Sequence, residues 1–151
     1  MANISGYYRI IRKTIIFISA ILLYANTFNH DYALDDAIVI TDNIYTQKGI
    51  SGIKDIFGND SFTGFFKEKK ELVPGGRYRP LSIATFAVEH EIFGGKPEIS
   101  HIINVILYAL TGILIFIIFS KLTDSQKTRS GFLTLSFVCT LLFVFHPVHT
   151  E

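Results

Sequence analysis

The chain has 151 residues, 49% of them hydrophobic and 18% charged, with a formal net charge of +1 and a mean hydropathy of +0.38. That is too apolar and too charge-poor for an ordinary soluble domain, and near-neutral charge gives no support to a nucleic-acid partner. There is no CxxC, P-loop, GxGxxG, internal repeat or low-complexity tract, and the single cysteine, Cys139, has no partner within the chain for a disulfide.

In chain order, residues 1–13 carry Arg9, Arg12 and Lys13 ahead of an apolar run, Thr14 to Asn29 (TIIFISAILLYANTFN). A basic start and an apolar stretch also make a signal peptide, but Leu23-Tyr24-Ala25 lacks the small residue wanted two positions before the cleavage site, so 14–29 reads as an uncleaved first transmembrane helix. Residues 30–98 form a long loop. Ile99 to Ser120 (ISHIINVILYALTGILIFIIFS) contains no Asp, Glu, Lys or Arg, and at about 1.5 Å per residue it matches a ~30 Å hydrocarbon core. Residues 121–130 are a short link with Lys121, Lys127 and Arg129, and 131–145 (GFLTLSFVCTLLFVF) form a third apolar segment containing Cys139, expected to be a small buried residue. The first and third runs sit near the lower length limit for spanning, where a buried core helix is the alternative. Their placement around the central span favours three crossings. The expected fold class is therefore an all-α membrane protein with about three transmembrane helices. Basic flanks put residues 1–13 and 121–130 in the cytoplasm, leaving 30–98 and the terminal 146–151 outside, since long loops translocate regardless of their own charge.

The loop has structure of its own. Ile50, Ile53, Ile56 and Phe57 recur at helical spacing around Lys54 and Asp55 and end at Gly58-Asn59, predicting a short amphipathic helix. A second helix is predicted from Pro80, whose fixed φ suits a first helical position, through LSIATFAVEHEIF to Gly94-Gly95. Such helices often lie in the membrane interface. Between them, Phe62 to Gly76 is polar and glycine-containing and is expected to be mobile, with Lys67, Lys69 and Lys70 as a solvated face.

Three constellations carry candidate chemistry. Asp35 and Asp36, within Tyr32 to Ile40 (YALDDAIVI), can divide the work of a base and an orienter or cation ligand; alone they are equally a solvated turn. A divalent ion is thus an open cofactor. Arg77 and Arg79, in GGRYRP just before the second loop helix, suit phosphate through paired hydrogen bonds near a helix N-terminus, or else a lipid headgroup. His146, His149 and Glu151, in HPVHTE after the third span, form a weak metal-ligand set that Pro147 leaves at the interface. Within the second span, His101 and Asn104 share a helical face near its outer end, where polar groups turn toward a bundle interior or bond neighbouring helices.

LDDAIVI after a first span, YRPLSIATFAVE, HIINVILYAL in the second and FVFHPVHTE closing the third occur in an order that resembles the membrane domain of transmembrane and tetratricopeptide-repeat O-mannosyltransferases and their bacterial relatives. These are polytopic glycosyltransferases of the GT-C class. The resemblance covers the chain from Tyr24 onward. It implies the N-terminal part of a GT-C fold in a multi-pass protein of a bacterial inner membrane. It further implies transfer of a sugar from a polyprenyl-phosphate donor to a protein or glycan acceptor on the external face, beside the lipid bilayer. A carboxylate of the first external loop, here Asp35 or Asp36, would be the base. Arg79, matching the family's Arg-Pro, would hold phosphate or brace the loop, with Arg77, His101 and His149 as further substrate-binding candidates. Family members have many more spans, so a chain ending at HPVHTE reads as an N-terminal piece, expected to be inactive alone. A membrane-anchored binding or assembly module is the competing class: it needs the loop to fold by itself and the acid pair to be dispensable. A channel or transporter piece would need ionisable groups within its spans, and His101 is the sole example.

Overall fold

The computed structural model describes residues 2–68, 78–123 and 132–150, and among them all regular structure is helical. The chain divides into two compact units: Met1–Asn26 with Ile103–Glu151, and Thr27–Ile102.

In the first unit, α1 (Ala2–Tyr24) runs on as a 3-10 turn, Ala25–Asn29. The helix starts well before the expected Thr14, because the basic residues continue the helix instead of preceding it. Arg12, Ile16 and Ala20, spaced four apart, are its buried stripe. Arg12 donates from Nε to the Phe132 carbonyl at 2.9 Å, so this cation is 2% exposed. α6 (Pro97–Thr123) is three residues longer at its C-terminal end than the apolar run alone suggests and begins on the proline, a favoured first helical position. Its buried positions Val105, Ala109, Gly112 and Phe116 again follow helical spacing. A methyl group on Gly112 would stand 3.0 Å from Ile16 Cγ2 and 3.1 Å from Val144 Cγ2, so the missing side chain is what lets these helices approach.

Gly6–Asn29 and Pro97–Thr123 are long and apolar enough to cross a membrane. α7 (Leu135–Val144) has ten residues, about 15 Å of helix and half a hydrocarbon core. It is shorter than the expected 131–145 because Thr134 caps it, accepting from the Phe137 N–H at 3.3 Å. Cys139 is half-buried rather than buried.

The second unit packs short helices around α5 (Pro80–Phe93), which ends at Gly94 with φ +75°, a left-handed cap that glycine adopts without steric cost. Both loop helices fall where the pattern predicts them, with α3 at Ile53–Gly58 following a 3-10 turn over Gly49–Gly52. Ile56, Ile83 and Ala87 form the core, with Val39 and Tyr45 against it. Ahead of them, Ala37–Thr41 is a π-helical turn closed by Asp42 N–H to the Ala37 carbonyl at 2.9 Å, followed by α2 (Ile44–Gln47). The stretch from Phe62 is not a uniform linker. Asp60 accepts from the Phe62 and Thr63 N–H groups and the Thr63 hydroxyl, starting α4 (Thr63–Phe66) with Thr63 and Gly64 buried. Lys69 and Lys70 lie outside the described residues.

Candidate active site in the loop unit

The acid pair sits on a tight turn. Asp36 N–H donates to the Ala33 carbonyl at 3.0 Å, and Ala33 N–H donates to Asp36 Oδ2 at 2.9 Å. Leu34, at the corner, has φ +46° and is 94% exposed. A branched residue held in that region carries local strain, which persists only where the surroundings over-determine it. The turn feeds straight into the π-helical residues, a rare geometry that recurs at functional sites.

Asn43 fixes this segment to the rest of the unit. Its Oδ1 accepts from Tyr45 and Thr46 N–H, capping α2, and its Nδ2 donates to the carbonyls of Ile38 at 3.0 Å and Ser61 at 3.2 Å. The Thr46 hydroxyl adds a bond to the Val39 carbonyl at 2.7 Å. Asn43 is 1% exposed and Thr46 fully buried.

These contacts frame a cavity of about 160 Å³ lined by Asp35 and Asp36, by Ser61 and Phe62, and by Arg79, Ser82 and Phe86 from the start of α5, over a floor of Ile38, Val39 and Ile83. Thus three residues expected from sequence to carry chemistry, Asp35, Asp36 and Arg79, line one cavity. The volume suits a single ring-sized group, comparable to cavities of ~150 Å³ that accept benzene. Two carboxylates, a guanidinium and two serine hydroxyls supply acceptors, a fixed cation and switchable donors around it. The carboxylates differ: Asp35 is exposed, whereas Asp36 is half-buried with one oxygen already engaged.

Behind the turn, Tyr32 places its phenol 3.0 Å from the Ser100 hydroxyl at the start of α6, and Ser100 donates to Glu89 Oε2 at 2.6 Å. Ser100 and Glu89 are 4% and 8% exposed. The Tyr32 phenol is pushed above its ordinary range by burial, and Glu89, Asp36 and Glu98 raise it further.

Among the described residues, no other candidate side chain is part of the cavity lining. His101 is not among its lining residues; its Nε2 is buried with no hydrogen-bond partner among the described residues. Asn104 is exposed. Arg77 and Glu151 lie outside the described residues. His146 belongs to the other unit, where its Nδ1 accepts from Val148 N–H at 3.2 Å, and His149 is described by its backbone alone, in the turn Pro147–Thr150. Among the described residues no three His, Cys, Asp or Glu side chains cluster to hold a metal ion. Sequence reasoning missed Asn43, Ser61, Ser82, Phe62 and Phe86. For Asn43 a signal existed, an asparagine immediately before a short helical stretch; the others needed the fold.

The chain is 30% identical over 147 residues to mouse protein O-mannosyl-transferase TMTC4, covering 92% of this chain and 19% of the relative. It is 31% identical over 130 residues to human protein O-mannosyl-transferase TMTC1, covering 86% and 14%. With human protein O-mannosyl-transferase TMTC2 it shares 32% over 136 residues, covering 85% and 14%. The chain resembles the protein O-mannosyl-transferases. It spans about a fifth or less of the length of these relatives. No family model and no solved structure matches it. The relatives and the two long apolar helices together make this the sequence of a membrane protein related to glycosyltransferases.

Proposed function

We propose that the chain is the N-terminal portion of a GT-C glycosyltransferase that moves a sugar from a polyprenyl-phosphate carrier to an acceptor hydroxyl on the non-cytoplasmic face, with residues 131–145 completing a third crossing. The observation that carries the proposal is the convergence of Asp35, Asp36 and Arg79 on one cavity. Resemblance to O-mannosyl-transferases supplies the reaction class.

In this reading the aspartate carboxylate takes the acceptor's hydroxyl proton as that oxygen bonds to the anomeric carbon. The bond from that carbon to the phosphate oxygen breaks, its electron pair leaves with the polyprenyl phosphate, and the anomeric centre inverts. General-base help of this kind is worth ~10²–10⁴-fold. Arg79 faces the charge that grows on the leaving phosphate, where a fixed guanidinium acts most strongly in the transition state. The serine hydroxyls and the Phe62 and Phe86 rings would orient the sugar, since apolar faces with a few placed polar groups are what a ligand site needs.

The test is transfer from a radiolabelled polyprenyl-phosphate sugar in membranes expressing the full reading frame. Turnover should vanish in the Asp35→Asn/Asp36→Asn double variant while expression and insertion persist. Wild-type turnover in that variant would defeat the assignment.

One observation favours a second reading, a membrane-anchored assembly module. Thr27–Ile102 is a compact unit with its own core of Ile56, Ile83 and Ala87, as such a module requires. It predicts that the double variant keeps every partner interaction of the wild type and that neither protein transfers sugar.

A further inference from the structure

We propose that Tyr32, Ser100 and Glu89 form a buried hydrogen-bonded brace whose work is to hold the Ala33–Asp36 turn, and so the Asp36 carboxylate, in its reactive position. The inference rests on the proposed glycosyltransferase reading, with Asp36, the half-buried carboxylate of the pair, taken as the base, and it adds three positioning residues that do not line the cavity.

Proton bookkeeping gives the brace a direction. Ser100 has one hydroxyl hydrogen, and it goes to Glu89 Oε2 at 2.6 Å; at the 3.0 Å contact the Tyr32 phenol must therefore donate to Ser100 Oγ. The chain runs Tyr32 to Ser100 to Glu89 and ends on a carboxylate, the kind of charge-assisted acceptor that makes such bonds short and strong. The two members that hold Tyr32 are anchored in regular structure, because Glu89 is a buried residue of α5 and Ser100 a buried residue of α6. Tyr32 precedes the first residue of the turn directly. A serine and a glutamate this buried carry a desolvation cost, and the two bonds offset it.

The turn needs an external hold. Leu34 is 94% exposed with positive φ and contributes no packing. The turn's own bonds are the two between Ala33 and Asp36 together with Ile38 N–H to the Asp35 carbonyl. Strain of this sort relaxes unless the flanks are fixed. Downstream the flank is fixed through Asn43 and Thr46; upstream the Tyr32 phenol supplies a side-chain tether.

The experiment uses membranes with the full reading frame and the variants Tyr32→Phe, Ser100→Ala, Ser100→Thr and Glu89→Gln. Tyr32→Phe keeps the ring and removes one hydroxyl. Its amide exchange across residues 33–36 should accelerate about tenfold, the loss of one hydrogen bond, while α2 and the body of α5 keep wild-type protection. Ser100→Ala should match it, and Ser100→Thr, which retains a hydroxyl, should restore protection. In sugar transfer, kcat should fall about tenfold in Tyr32→Phe with KM for the donor unchanged, because positioning the base acts on the chemical step. Unchanged exchange at 33–36 in both Tyr32→Phe and Ser100→Ala would overturn the brace. So would faster exchange with wild-type kcat in an active enzyme. If wild-type membranes transfer no sugar, the glycosyltransferase reading fails, and the exchange measurement still decides whether the brace holds the turn.

Discussion

Asp36 and Ala33 hold each other twice, through Asp36 N–H to the Ala33 carbonyl and Ala33 N–H to Asp36 Oδ2. This reciprocity separates the two acids. In Asp36→Asn the amide oxygen can still accept from Ala33, so the turn survives and only the basicity goes; transfer should drop ~10²–10⁴-fold. Asp36→Ala removes the turn contact as well and should fall at least as far, with faster exchange at Ala33. Asp35 is exposed, and Asp35→Asn should cost less than about tenfold, the range of a supporting hydrogen bond. A profile in which Asp35→Asn is the more damaging single change would reverse the assignment.

Arg79 lines the same cavity immediately before the first turn of α5. If it meets the donor phosphate, Arg79→Ala should weaken donor binding about 10- to 100-fold, matching ~1.5–3 kcal/mol for a hydrogen bond to a charged group. Arg79→Lys should recover only part of that, because an ammonium cannot make the paired bonds of a guanidinium. Donor KM and kcat measured separately would expose an Arg79 that merely braces the loop, since both substitutions would then leave KM untouched.

Asn43 makes its bonds with almost no exposed surface. Asn43→Ala leaves buried carbonyls and N–H groups unpaired and should cost about 1–3 kcal/mol in the unfolding of the loop unit. Gly64→Ala attacks the same point from the other side, because a methyl there would overlap Asn43 Oδ1 and lie 2.8 Å from Tyr45 Cδ2. Overpacking of this kind costs about 1–3 kcal/mol. Since both changes strain one set of bonds, the double variant should lose less than the two singles combined. Denaturant unfolding followed by tyrosine fluorescence would check this.

Local signals explain how much was readable beforehand. Pro80 and Gly94 bracket α5 because one presets φ and the other adopts a positive value, and both properties belong to the residue itself. The long run before Lys121 marks α6 for an equally local reason, its lack of charge. The cavity was half legible: Asp35, Asp36 and Arg79 stand out by chemistry, but Ser61, Ser82, Phe62 and Phe86 are ordinary residues made neighbours by tertiary packing. The π-helical turn at Ala37–Thr41 was not legible at all, because its β-branched Ile38, Val39, Ile40 and Thr41 disfavour helix on their own. Asn43 and Thr46, bonding back to the Ile38 and Val39 carbonyls, supply what propensity does not.

The brace carries a pH signature. Burial, the first cause, and then Glu89, Asp36 and Glu98 raise the Tyr32 phenol above its ordinary value. For a group raised on folding, the stabilising contribution is complete below its unfolded pKa, about 10. It is lost as pH climbs through the higher folded value. The wild type should therefore show a phenolate absorbance step at higher pH than its exposed tyrosines, and Tyr32→Phe should lack that step. A Tyr32 step at or below the ordinary range would contradict the buried contact with Ser100.

The third crossing is decided by where Val148 lies. α7 alone covers half a hydrocarbon core, yet the apolar run continues on both sides of it through Leu133 and Phe145. Basic residues flank the first run and fill the link after α6, and the proposed topology puts both on the cytoplasmic side for that reason. Three crossings then return the chain to the external face after Phe145. Single cysteines in a Cys139→Ala background test each step: Lys54→Cys in the loop unit should label from outside, and Lys121→Cys from inside. Val148, 65% exposed, is the discriminating position. Val148→Cys should react with an impermeant reagent from the external face, together with Lys54→Cys. If it reacts only from the cytoplasmic face, with Lys121→Cys, residues 131–145 dip into the membrane and turn back, and the chain crosses twice.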